Sequence, residues 1–177
     1  DVIKSSVTLL DGVLKQKAYH DLKLSPGDRV TSSALYTDSF HLIDRREQFY
    51  KPQENTLYLV LGTATGNVRI YEVTENNSLN LMIDGFLPCE EKDTRKPIVQ
   101  ITPHQKESSR TKDQKEMMLY FASGTKIFAV DTHDLLMYYN NKCVFENRFR
   151  ENTYDDIARV RTYDCKQPIA RFTFMDG

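Results

Sequence analysis

Leu57-Tyr58-Leu59-Val60-Leu61-Gly62-Thr63-Ala64-Thr65-Gly66-Asn67-Val68-Arg69-Ile70-Tyr71-Glu72-Val73 is the stretch from which the fold can be read. Its first five residues are an unbroken apolar run, as expected of a strand covered on both faces. Gly62 and Gly66 bracket a short turn, where glycine supplies backbone angles that a Cβ would forbid. From Val68 the pattern alternates. Val68, Ile70 and the nearby Val73 face one side, and Arg69 and Glu72 point to water. The reading is a hairpin with an inner strand and a more exposed outer one. Asn76-Asn77-Ser78 closes it, and Leu79-Asn80-Leu81-Met82-Ile83 follows as a third strand.

The same order recurs downstream. Met117-Met118-Leu119-Tyr120-Phe121-Ala122-Ser123-Gly124 is a second apolar strand ending in small residues and glycine. Lys126-Ile127-Phe128-Ala129-Val130 is its return strand, Asp131-Thr132-His133-Asp134 a turn, and Leu135-Leu136-Met137-Tyr138-Tyr139 the next strand. A short apolar stretch precedes each unit: Val30 to Tyr36 before the first and Pro97 to Thr102 before the second. Pro168 to Phe174 opens a third unit. An internal repeat of this form predicts an all-β chain and, within that class, a β-propeller in which each cycle is a four-stranded blade. The blade units span about 28–83 and 97–139, with a further blade starting at 168–177 of the single partial domain 1–177. The opening strands lie roughly 70 residues apart, against about 40–45 in an ordinary WD-type blade, so long polar insertions are expected. Segments 38–55, 104–116 and 146–166 carry them as surface loops, with a short helical turn near Tyr154 to Arg159. The chain supplies two to three blades. A smaller barrel or sandwich whose meanders imitate blades is the alternative architecture.

Charge and composition exclude several classes. Lys plus Arg number 24 and Asp plus Glu 25, a net charge of −1 with pI about 6.5. That balance disfavours a nucleic-acid module driven by overall charge. Ten Tyr and nine Phe in a 40% hydrophobic chain of 177 residues are enough for a real core. No apolar run reaches the ~18 residues of a transmembrane segment. The opening Asp1-Val2-Ile3, without Met or leader, is expected of a fragment. Cys89, Cys143 and Cys165 are sparse and odd in number, which fits a reducing, intracellular compartment. Asn76-Asn77-Ser78 matches a glycosylation acceptor and, with no secretory leader, reads as a turn.

Catalytic and metal motifs are missing from the sequence, so neither enzyme activity nor a cofactor is expected. His20, His41, His104 and His133 are scattered, without the spacing of metal ligands. Asp131 and Asp134 lack the third acid and the Gly-x5-Glu of a calcium loop. Gly62 to Gly66 has no helix signal after it to hold an anion, and neither a G-x-S-x-G elbow nor a phosphate-binding loop occurs. Ser25-Pro26 is a turn or a phosphorylation site. Two basic, aromatic clusters remain: Arg45 and Arg46 with Phe49 and Tyr50, and Arg148, Arg150, Arg159 and Arg161 around Tyr154 and Tyr163. Arg and Tyr are enriched at protein interfaces and also suit phosphate or single-stranded nucleic acid. Interleaved acids, Glu47, Glu146, Glu151, Asp155 and Asp156, weaken a simple anion surface. The expected partner contacts are Arg45, Arg46, Phe49 and Tyr50, then Arg159, Arg161 and Tyr163.

From about Asp28 to Tyr139 the chain resembles the citron-homology propeller and, more loosely, WD-type blades. The resemblance is carried by Leu59-Val60-Leu61-Gly62-Thr63-Ala64-Thr65-Gly66, by Pro97-Ile98-Val99-Gln100-Ile101, and by Val130-Asp131-Thr132-His133-Asp134-Leu135. It implies a non-catalytic scaffold in a large eukaryotic complex, as in the vacuolar tethering complexes HOPS and CORVET. The partners implied are other protein subunits and a small GTPase, with a place in the cytoplasm or on an endomembrane. Similar blades occur in the damaged-DNA-binding and polyadenylation-factor family and in nuclear-pore and coat scaffolds. These imply, as the alternative, a nucleic-acid-associated or nuclear platform.

Overall fold

The computed structural model describes residues 6–10, 16–38, 56–89, 94–107, 115–132 and 160–174. Ten strands run through them: β1 (Ser6–Leu10), β2 (Gln16–Asp21), β3 (Val30–Asp38), β4 (Thr56–Thr63), β5 (Asn67–Val73), β6 (Leu79–Phe86), β7 (Ile98–Glu107), β8 (Lys115–Ser123), β9 (Lys126–Asp131) and β10 (Arg161–Asp164). They form three open antiparallel sheets: the hairpin β1-β2, and two four-stranded meanders ordered β3-β4-β5-β6 and β7-β8-β9-β10.

Within the apolar run at 57–61, Tyr58 to Leu61 are covered on both faces, as the pattern requires, and Leu57 at its start is exposed. Successive side chains on a strand point to opposite faces. Tyr58 and Val60 accordingly enter the core shared with the second meander, with Ile70, Ile83, Ile98, Leu119 and Phe121. Leu59 and Leu61 enter a smaller cluster with Leu22 and Tyr71, against which Val7 of β1 packs. The first meander is therefore the middle layer, with β1-β2 on one face and the second meander on the other. Strands β3 and β7, the opening strands of the two meanders, are neighbours across the second interface. Thr31 and Ser32 of β3 both donate side-chain hydrogen bonds to the Ile98 carbonyl of β7, at 2.8 and 2.7 Å.

The two meanders repeat each other in detail. Each opening strand has an irregular register facing the end of the second strand: between Val30 and Ser32 opposite Gly62 and Thr63, and between Ile98 and Gln100 opposite Ala122 and Ser123. Each second strand ends in a tight turn with a glycine at positive φ, Gly66 at 79° and Gly124 at 60°. In each, that glycine's carbonyl accepts from the backbone of the segment leaving the sheet, Leu87 N at 3.3 Å and Ile169 N at 2.8 Å.

Several expectations are corrected. Gly62 is not a turn residue; it lies inside β4, and what excludes a side chain there is packing rather than backbone angle. A Cβ on it would sit 2.6 Å from Ser32 Oγ and 2.7 Å from Ile98 Cβ. Arg69 does not point to water. The face it occupies is covered, and its guanidinium donates to the Leu22 carbonyl at 2.6 Å and pairs with Asp84 at 3.3 Å. The polar loop at 104–116 is shorter than expected, because β7 runs to Glu107 and β8 starts at Lys115. Within 146–166, residues 161–164 form a strand, and this β10 takes the place beside β9 expected of Leu135–Tyr139. Residues 168–174 form no strand; they lie along β7, where the Gln100 amide donates to the Phe172 carbonyl and accepts from the Phe172 N–H. Leu135–Tyr139, His133, residues 39–55 and Tyr154–Arg159 lie outside the described residues.

The turn at Asn76-Asn77-Ser78 is present, with Asn77 at φ 57° and Thr74 N bonded to the Ser78 carbonyl. Ser25-Pro26-Gly27 is a turn closed by Asp28 N to the Ser25 carbonyl. Pro103 falls within β7, which is tolerated because β7 is the edge strand of its sheet.

Candidate docking cleft at the sheet rim

The two glycine turns stand at the same end of the two meanders, and Lys96, just before β7, lies against both. A Cβ on Gly66 would lie 3.1 Å from the Lys96 carbonyl oxygen and 3.4 Å from Arg95 Cβ. One on Gly124 would lie 3.1 Å from Lys96 Cγ. Ser123 Oγ donates to the Lys96 carbonyl at 2.9 Å. Glycine at both turns thus serves the positive φ and the close approach of Lys96. The backbone of the Arg95-Lys96 pair is fixed by this double contact.

Around that pair opens a cleft of about 450 Å³. Its apolar lining comes from Leu87, Pro97, Val99, Phe128, Pro168 and Ile169. Arg95, Lys96 and Lys126 supply its charge, and no Asp or Glu is among the described lining residues. The Arg95 guanidinium lies 4.5 Å over the Phe86 ring, a cation–π contact that holds the side chain on the rim. Asp164 is the cross-strand neighbour of Lys126, so the cationic character rests chiefly on Arg95 and Lys96. Cys89 is half-buried in the wall. The described lining holds no imidazole and no carboxylate, and the described residues contain no cluster able to hold a metal ion. The arrangement can bind a negatively charged partner that also presents apolar surface.

A buried polar network fixes the first turn from behind. Asp28, 7% exposed, accepts from Arg29 N at 2.9 Å, Thr65 N at 3.2 Å and Thr65 Oγ1 at 2.8 Å. Thr63 Oγ1, fully buried, accepts from Asn67 N, and Asn67 Nδ2 donates to Asp84 at 2.8 Å. Tyr71, whose hydroxyl lies 3.5 Å from the Arg69 guanidinium, has its pKa raised chiefly by burial.

Of the contacts expected from the sequence, Arg161 and Tyr163 lie on β10, exposed, facing Ala129 and Ile127 of β9. They are two residues apart on a strand and so share a face. Both act on Tyr120, whose pKa is raised, first by burial and then by Tyr163, with Arg161 opposing. Beside Tyr120, Phe174 stacks on His104 at 4.5 Å between ring centres. Neither Arg161 nor Tyr163 lines the cleft. Arg45, Arg46, Phe49, Tyr50 and Arg159 lie outside the described residues. Arg95 and Lys96 were not singled out from sequence. The signal for them was a basic pair directly before Pro97, at the start of the repeated unit.

No helix of the described residues is long and apolar enough to cross a membrane. No family model, curated protein or solved structure matches this chain.

Proposed function

We propose that the chain is the propeller part of a non-catalytic interaction scaffold in a large eukaryotic assembly, with vesicle tethering the favoured role. The observation that carries this reading is the repetition of one four-stranded meander, with the same bulged opening strand, glycine turn and closing hydrogen bond. The copies stack face to face with their opening strands adjacent, the arrangement in which blades of a propeller follow one another. Such a stack buries its sheet faces against each other and leaves turns and linkers on the rims for partners. The cytoplasmic face of an endomembrane is the setting this role implies, and other subunits of the assembly are the partners.

The test is affinity purification of the full-length protein from its native source, followed by sizing and identification of what comes with it. Stoichiometric recovery with several other subunits is expected. Recovery as a free monomer under gentle lysis would overturn the scaffold reading.

A further inference from the structure

We propose that the rim cleft between the Gly66 and Gly124 turns docks a short acidic segment of a partner protein, its carboxylates on Arg95 and Lys96 and an apolar side chain against Val99 and Ile169. This deepens the scaffold reading above and rests on it. Three observations support it. The cleft, about 450 Å³, has the size of a specific binding site, about 300–1,000 Å³ in other proteins. Arg95 and Lys96 stand exposed at its rim, two neighbouring cations whose charge attracts an anion. The cationic pair is held in place before any partner arrives, by the two glycine turns, the Ser123 bond to the Lys96 carbonyl and the Phe86 ring under Arg95. Preorganisation of this kind lowers the ordering cost of binding.

The apolar part of the lining decides the chemical class. A phosphate or an inositol headgroup would satisfy Arg95 and Lys96 and leave the surfaces of Pro97, Val99, Pro168 and Ile169 without a partner. A peptide carries both parts. Val99, 41% exposed within a cleft wall, is where an apolar side chain would be received.

The experiment measures binding of fluorescent peptides to the full chain by anisotropy. The peptides are an Asp/Glu-rich decamer with a central Leu, its Gln/Asn counterpart, and a Lys-rich counterpart. The acidic peptide alone is expected to bind. Its affinity should fall at least tenfold in the double variant Arg95→Glu/Lys96→Glu, in Val99→Asp, and on raising salt from 50 to 300 mM. Circular dichroism of each variant confirms that the strands remain. Equal binding of inositol phosphate in competition, unaffected by Val99→Asp, would overturn the peptide in favour of a headgroup. The chain's own Glu90, Glu91 and Asp93 lie between two lining residues in sequence. Binding seen only after Glu90→Gln/Glu91→Gln/Asp93→Asn would overturn it in favour of that segment as occupant. The two readings fail separately: a chain that ignores the acidic peptide yet still co-purifies with its assembly refutes the docking site alone. One that does neither refutes the scaffold as well.

Discussion

At the scale of single residues, Gly62 and Arg69 show what a periodic pattern can and cannot reveal. The alternation from Val68 put Val68 and Ile70 on one face as observed, but it set Val73 with them, whereas Val73 packs beside Tyr71 on the opposite face. It also assigned Arg69 to water because a charged residue between apolar ones usually faces solvent. Here that face is covered, and the charge is kept inside by the Leu22 carbonyl and Asp84. Nothing local to residues 67–73 could announce this, since the covering atoms come from residues distant in the chain. Gly62 was recognisable as a residue that cannot carry a side chain, but the reason is the approach of Ile98, 36 residues later in a different sheet. A methyl group at Gly62 meets Ile98, which is fully buried, and Ser32, which is partly buried, both already committed to the interface between meanders. Overpacking of this kind costs about 1–3 kcal/mol. Gly62→Ala is therefore expected to lower the unfolding free energy by that amount, read as a fall in the urea midpoint at unchanged slope. Gly27, with no atom within 4 Å of its Cβ position, should lose less when replaced by Ala, since only its positive φ is strained. Equal losses in the two variants would show that close approach is not what Gly62 provides.

Elements were legible in proportion to the apolar side chains they bury. Strands β3 to β9 all fall on stretches that sequence marked, because each sends residues into one of the two clusters. Strand β10 escaped: all four of its residues are exposed, and it is held by backbone pairing to β9. The polar ends of β7 and β8 escaped for the same reason, as ladder hydrogen bonds are indifferent to side-chain polarity. The rim cleft was illegible because its lining comes from separate stretches of chain that only the stacking of two sheets brings together. What holds the β4–β5 turn in place can be tested at this scale. Asp28 precedes β3, and its carboxylate satisfies the backbone N–H and hydroxyl of Thr65, at the tip of that turn. Removing a buried acceptor leaves its donors unpaired, which costs about 1–3 kcal/mol. Asp28→Ala should therefore destabilise by that amount and speed amide exchange at residues 64–67 more than elsewhere, while Asp28→Asn keeps most of the contact. Uniform acceleration across all sheets would show that the network is not specific to the turn.

At the scale of the whole molecule, the question is whether the stacked sheets act as one body, as a docking platform must. Among the described residues the main cluster has fourteen buried members, seven between Tyr36 and Leu87 and seven between Ile98 and Val160. Each meander thus supplies half of one core, and neither half is a core without the other. Leu119 is fully buried in the second meander and Val60 in the first. Truncating a buried leucine to alanine costs about 2–5 kcal/mol, through lost burial and the cavity left behind. If the meanders unfold together, Leu119→Ala removes that free energy from every amide that exchanges only by global opening, including those of β4 and β5, which carry no change themselves. Native-state hydrogen exchange is expected to show equal loss of protection in β4, β5, β8 and β9. Loss confined to β7, β8 and β9 would mean that the sheets open independently. The cleft between their glycine turns would then change shape whenever either one frayed, and the fixed Arg95-Lys96 backbone on which docking depends would not persist.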